Sequence, residues 1–208
     1  NISTKMNRKK NLIYISIFVL IIISILSIIL INESFQNSTY HKKSLIKSNF
    51  NLIDQNSKIV TNEDFYGKFT LIFFGFTFCP DVCPNTLNKI SIAYDLLQED
   101  IKKSLKVIFI TVDPERDNFR IMNKYVSAFN KEFIGLTGSE KRIKQAADSM
   151  GVYFKKNVIN DTTNEYLIDH SSIKFLMDKK GSYLAHFSRD LSAEELSKRI
   201  SEKIKNYE

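Results

Sequence analysis

Twenty consecutive residues, Leu12 to Ile31, carry no charge, no glycine and no proline. Only Tyr14, Ser16, Ser24 and Ser27 interrupt an otherwise aliphatic run. At about 1.5 Å per helical residue such a run crosses the hydrocarbon layer of a bilayer, about 30 Å thick. A buried soluble helix is shorter or amphipathic. A cleavable signal peptide has an apolar stretch of roughly 7–15 residues ending in small side chains. Here the run ends in Ile31-Asn32-Glu33, which offers no such cleavage site. The chain is therefore expected to divide into a short N-terminus (1–11), a transmembrane anchor (12–31), a polar linker (32–48) and a folded domain (49–208).

Charge sets the orientation. Arg8, Lys9 and Lys10 directly precede the run, which favours a cytoplasmic N-terminus and a domain on the far side. No amphipathic, Arg-rich transit segment precedes it, which points to a bacterial inner membrane with the domain in the periplasm. The alternative is the mitochondrial inner membrane, facing the intermembrane space. The formal charge of +7 is uneven: residues 1–44 hold six Lys/Arg against Glu33 alone, and the rest is nearly balanced. The folded domain has no excess of basic charge to bind nucleic acid.

After the linker, elements of two periods alternate. Phe69–Phe74 and Lys106–Val112 are short, nearly continuous apolar runs of buried-strand type. Leu87, Ile90, Tyr94, Leu97 and Ile101 recur at helical spacing between them. Met122 to Phe129 and Ile143 to Met150 mark two more helices, with a short strand at Phe133–Leu136. Ile173–Met177 and Tyr183–Phe187 flank Lys179-Lys180-Gly181-Ser182 and predict a hairpin. Ser192 and Glu195 have capping-box spacing before a last helix. A strand pair near Phe50–Ile53 and Lys58–Val60 extends the sheet, and residues 155–169 are taken as a polar insertion. The order specifies an α/β domain with parallel strands, a C-terminal antiparallel hairpin and flanking helices. A thioredoxin-like layout accounts for it.

The chemistry gathers around the two cysteines, Cys79 and Cys83. They lie in Phe76-Thr77-Phe78-Cys79-Pro80-Asp81-Val82-Cys83-Pro84, just past the end of a predicted strand, the edge where open α/β sheets bind ligands. Pro84 fits only the first turn of a following helix. The thiols thus sit at a helix N-terminus, where the dipole and free N–H groups favour thiolate. Three readings compete: small buried residues, poorly matched by an exposed Pro-flanked loop; a dithiol–disulfide couple; and a soft-metal site for Cu(I) or Zn.

Histidine separates the last two. His41 falls in the linker and His186 in the middle of a strand, whereas His170 precedes the strand at 173–177. If that strand runs antiparallel to 69–74, its start lies where the cysteine loop emerges. A thioredoxin-type oxidoreductase is expected to hold a proline here. The prolines of this chain are Pro80, Pro84 and Pro114, and the position reads Asp169-His170-Ser171-Ser172. An imidazole in place of a proline favours a site of two thiolates and one imidazole over a redox pair. Asp113, in Thr111–Asp117 after the second strand, and Asp169 are candidates to orient His170 or a partner's cationic group. Asp117 is read as a helix N-cap.

Four ordered segments carry a resemblance: Phe76–Pro84 (CPxxCP), Thr111–Asp117 (with DPERD), Gly135-Leu136-Thr137-Gly138, and Tyr166 to Ser172. With them the chain resembles the Sco/SenC family of membrane-tethered, thioredoxin-fold copper proteins. The resemblance implies that Cys79, Cys83 and His170 bind copper, Cu(I) or Cu(II). It also implies an assembly factor that carries copper to the binuclear copper centre of cytochrome c oxidase subunit II. Because both sulfurs must be reduced to bind metal, a thiol reductant or an upstream copper donor is a further expected partner. An oxidoreductase acting through Cys79 and Cys83, or a copper or redox sensor, are the other functions to separate. Phe78 departs from the family pattern, where a His or another polar residue is common, and Asn118-Phe119 replaces a common Thr-Pro.

Overall fold

The computed structural model describes residues 20–27, 46–160 and 165–207. Two compact units are present, residues 1–43 and 44–208. In the first, residues 20–27 are helical and exposed, with Ser24 and Ser27 hydroxyls bonded back to carbonyls three residues earlier. The rest of the Leu12–Ile31 run and His41 lie outside the described residues. Among the described residues no helix is long and apolar enough to cross a membrane.

The second unit is built on a seven-stranded sheet. Its strands are β1 (Asn51–Asp54), β2 (Ile59–Thr61), β3 (Phe69–Gly75), β4 (Leu105–Thr111), β5 (Ile134–Thr137), β8 (Lys174–Met177) and β9 (Tyr183–Phe187). Their spatial order is β2-β1-β5-β4-β3-β8-β9. The β3–β4 and β4–β5 pairs are parallel, and β3–β8 and β8–β9 are antiparallel. Strand β3 lies between two neighbours with both faces covered, so all its residues are buried. That is why its sequence is a continuous apolar run instead of an alternation. The thioredoxin-like α/β architecture expected from the sequence is present.

Among the described residues, five α-helices accompany the sheet, α1 (Val82–Asp95), α2 (Glu99–Ser104), α3 (Phe119–Ser127), α4 (Glu140–Ser149) and α5 (Ala193–Lys205), with a 3-10 turn at Asn62–Phe65. Helix α1 packs on α5, and its Ser91 hydroxyl donates to the Phe129 carbonyl at 2.8 Å, just beyond α3. Ser139 and Ser192 cap α4 and α5 through their hydroxyls, as the Ser192/Glu195 spacing predicts. Gly181 takes φ 71° in the β8–β9 turn, where its missing Cβ removes the strain of that conformation.

Three features differ from the sequence reading. The helical spacing from Leu87 to Ile101 spans two helices, because the chain turns at Leu96–Gln98 and restarts with Glu99 and Asp100 in a new first turn. The folded unit begins before residue 49: Lys47 bridges to Ser182, and buried Ser48 donates its N–H to the Gly181 carbonyl at 2.9 Å. The supposed polar insertion is a second sheet, the hairpin of β6 (Phe154–Asn160) and β7 (Glu165–His170). Strand β7 buries only Tyr166 and Ile168, and the hairpin leaves Val158, Ile159 and Leu167 exposed. Lys155, Lys156 and Asn157 hide the alternation in β6. His170 is the last residue of β7, so this hairpin delivers the imidazole.

Candidate metal centre

Two different elements supply the sulfurs and the imidazole. Strand β3 ends at Gly75, and the loop that follows turns through Phe76–Asp81 into α1. Asp81 is the N-cap, Cys83 the second helical residue and Pro84 the third. Pro84 fits because a first-turn N–H has no intrahelical partner to lose. The Cys83 N–H instead donates to Cys79 Sγ at 3.4 Å. On the other side, the β3–β8 antiparallel pairing brings the start of β8 to the same sheet edge, and His170 precedes it.

One ligand atom from each of Cys79, Cys83 and His170 lies within 4.8 Å of the other two. His170 Nε2 is 3.4 Å from Cys83 Sγ, although 87 residues separate them in sequence. Its Nδ1 faces the Ser171 carbonyl at 3.2 Å. That carbonyl can only accept, so Nδ1 donates to it and Nε2 is the ring nitrogen turned to the sulfurs. The ring is held edge-on by Phe76 and Phe73, with centroids at 5.8 and 6.2 Å.

The two thiols are not equivalent. Hydrogen bonding from Cys83 lowers the Cys79 pKa to about 5, against the opposing effect of burial, with help from the backbone of Cys83 and Asp81 and from His170. Cys83 is pushed up, by its hydrogen bond with Cys79 and by burial. Cys79 is a ready thiolate, and Cys83 is the partner that gives up its proton when a cation takes the proton's place. Full burial of Cys83, at 0% exposure, also corrects the expectation of an exposed pair.

Gly75, which the sequence did not single out, and Asp117, whose role it misassigned, make this geometry possible. A Cβ on Gly75 would lie 2.6 Å from Cys83 Sγ and 2.8 Å from the Phe109 ring, so only glycine leaves room for the sulfur. Asp117, read from the sequence as an N-cap, is fully buried, and its neighbour Asn118 caps α3. The Asp117 carboxylate accepts from the Thr77 N–H at 2.9 Å, the Thr77 hydroxyl at 2.5 Å and the Thr111 hydroxyl at 2.6 Å. It ties the cysteine loop to the end of β4. Burial raises its pKa, with those donors opposing. The spacing of Thr111 and Asp117 was a signal for this tie, but Thr77 is too remote in sequence to reveal it.

Neither carboxylate proposed to orient His170 touches the ring. Asp113 is buried and holds Arg116 and the Tyr166 hydroxyl, the latter at 2.7 Å. Asp169 is exposed and accepts from Asn157 across the hairpin at 2.6 Å. His186 is likewise apart from the site, bonded to the Tyr183 hydroxyl at 2.5 Å.

A thioredoxin-like domain that closes two thiols and an imidazole around one point defines a class: thioredoxin-fold proteins whose redox position is equipped for a soft metal. Within that class, the chain belongs to the SCO1/SenC family, whose sequence profile matches residues 38–205. It is 43% identical over 162 residues to the SCO2-like protein RP587 of Rickettsia prowazekii, covering 77% of this chain and 78% of that one. Among solved structures it is similar to Arabidopsis thaliana ScoI with copper bound, at 36% identity and TM-score 0.73, over 78% of this chain and 99% of that one. It is also similar to Bradyrhizobium japonicum ScoI with copper bound, at 39% identity and TM-score 0.69, over 76% and 99%. The Cys-Cys-His cluster here is a donor set suited to the metal those proteins hold.

Proposed function

We propose that this protein is a membrane-anchored copper carrier that delivers copper to the binuclear copper centre of cytochrome c oxidase subunit II. The observation that carries the reading is the convergence of Cys79, Cys83 and His170 at one sheet edge. Two thiolates and one imidazole match Cu(I), which accepts few, soft ligands, and they disfavour hard cations. Cys79 and His170 are only partly buried, so a partner's ligands can approach and replace them one at a time. The Leu12–Ile31 run would tether the domain to the membrane that holds the oxidase, with the domain on the periplasmic side.

The test is a Cu(I) titration of the reduced full-length chain in detergent, followed by incubation with a copper-free subunit II fragment. One tight copper per chain is expected, with transfer to the fragment. Cys79→Ser and Cys83→Ser should abolish tight binding, and His170→Ala should weaken it and shift the spectrum of the Cu(II) form. Parental binding in all three variants would refute the ligand assignment. Tight binding without transfer would leave a sensor, not a carrier.

The low Cys79 pKa favours a second reading, thiol reduction. The Cys79 thiolate would attack a client disulfide and release one client thiolate. Cys83, losing its proton, would then displace the second and leave a Cys79–Cys83 disulfide, moving two electrons to the client. A thiol reductant must restore the pair. This activity should survive His170→Ala, which separates it from copper carriage.

A further inference from the structure

The segment after β4 sits between the element that carries the sulfurs and the one that carries the imidazole. The Arg116 guanidinium carbon lies 3.8 Å from the centre of the Tyr166 ring, 4.8 Å from Phe78 and 5.9 Å from Phe76. Phe78 immediately precedes Cys79, and Tyr166 lies on the same strand as His170. In the plane of its guanidinium, Arg116 donates through Nη1 to the Tyr166 carbonyl at 3.3 Å and through Nε to Asp113. The other Asp113 oxygen accepts the Tyr166 hydroxyl, closing a ring of contacts. Nη2 is buried without a hydrogen-bond partner. The surrounding aromatic faces are what stabilise that donor.

The rest of the polar attachment is weak. Lys156 pairs with Glu115 at 2.7 Å, but both side chains are exposed and such a pair adds little. A two-stranded hairpin is at best marginally stable alone, so β6–β7 depends on what fastens it to the main sheet. Phe78, 65% exposed beside the cysteines, lies with its ring against this guanidinium.

We infer that Arg116 is a positioning residue: its guanidinium, held against Phe78 and Tyr166, clamps the hairpin that carries His170 onto the loop that carries Cys79. The clamp acts in the metal-free protein. Its effect on copper rests on the function proposed above. A guanidinium suits the task because it stacks on rings while donating in its own plane, which an ammonium does not do.

The test uses the reduced, metal-free full-length chain in detergent. Hydrogen exchange is followed at residues 165–170, with β3 and β4 as internal references. Arg116→Ala should speed exchange at 165–170 about tenfold or more, with the references unchanged. On copper loading, affinity should fall about tenfold and the Cu(II) charge-transfer bands should shift, the size of effect that outer ligand-orienting groups exert. Arg116→Lys should restore only part of either readout. Should Arg116→Ala loosen the references too, Phe78→Ala decides, because loss of an exposed ring spares the core: faster exchange confined to 165–170 supports the clamp. Parental exchange in both Phe78→Ala and Arg116→Lys overturns it. A parent that binds no copper while 165–170 responds refutes the copper reading and leaves the clamp standing. A parent that binds copper, with variants matching it in exchange and spectrum, does the reverse.

Discussion

The seven-stranded sheet and the β6–β7 hairpin each deliver part of the same site, and they are held by different forces. Strand β3 is buried along its whole length, with Leu71, Ile72, Phe73 and Phe74 packed on both faces. The hairpin has one inward face, and Tyr166 and Ile168 are all that β7 buries. The cysteines are thus mounted on a cooperative hydrophobic core, and the histidine on an element fastened by a few ring, ion and hydrogen-bond contacts. The copper carrier proposed above would benefit from that inequality, because His170 could leave the metal without disturbing the fold that carries the two cysteines.

The contrast can be broken most directly by equal truncations in the two regions. Ile108→Ala, in β4 at 0% exposure, should cost about 2–5 kcal/mol in global unfolding by urea. Ile168→Ala removes the same atoms from the hairpin. If the hairpin opens on its own, the global midpoint should move much less, while exchange at 165–170 rises. Equal losses at both positions would mean one cooperative unit and would end the distinction.

Gly75→Ala comes next in size. The added methyl meets Cys83 and Phe109, neither of which is exposed, so overpacking should cost about 1–3 kcal/mol by thermal melting. Copper affinity should fall with it, because the displaced atom is one of the proposed ligands. A stable variant with parental copper binding would show that the sulfur is free to shift.

pH offers two smaller tests. The folded Cys79 pKa of about 5 lies below the usual thiol value near 9. Its contribution to stability is therefore complete above pH 9 and is lost as pH falls through 5. Alkylation of metal-free protein should show Cys79 reacting with a midpoint near pH 5, and Cys83, pushed up and buried, staying protected at neutral pH. Lys174 in β8 donates to the Ser188 carbonyl at 2.7 Å, and burial, with Lys89 nearby, lowers its pKa to about 8. Between pH 8 and 10.5 the unfolded chain binds more protons, so stability should rise with pH there. Lys174→Met should flatten that rise in urea titrations.

Much of this was legible in the residues. Continuous apolar runs located β3 and β4, Gly181 marked the β8–β9 turn, and Ser192 the start of α5. The CPxxCP segment announced thiols at a helix N-terminus, and the loss of a proline beside His170 hinted at an imidazole ligand. The hairpin was not legible, because Lys155, Lys156 and Asn157 are three consecutive polar residues that break the apolar–polar alternation marking a strand. Asp117 was misjudged for a similar reason: an acid before a helix resembles a cap until the hydroxyls it binds, on Thr77 and Thr111, are seen.

Local pattern fixed the elements, their order and the chemical types available, because backbone propensity, capping and burial act over a few residues. It could not fix distance. That Cys83 and His170 stand 3.4 Å apart follows from antiparallel pairing of β3 with β8 and from a hairpin folded against the main sheet. Those contacts bring together two residues 87 apart in sequence, and their energy is gained only when the whole chain has packed.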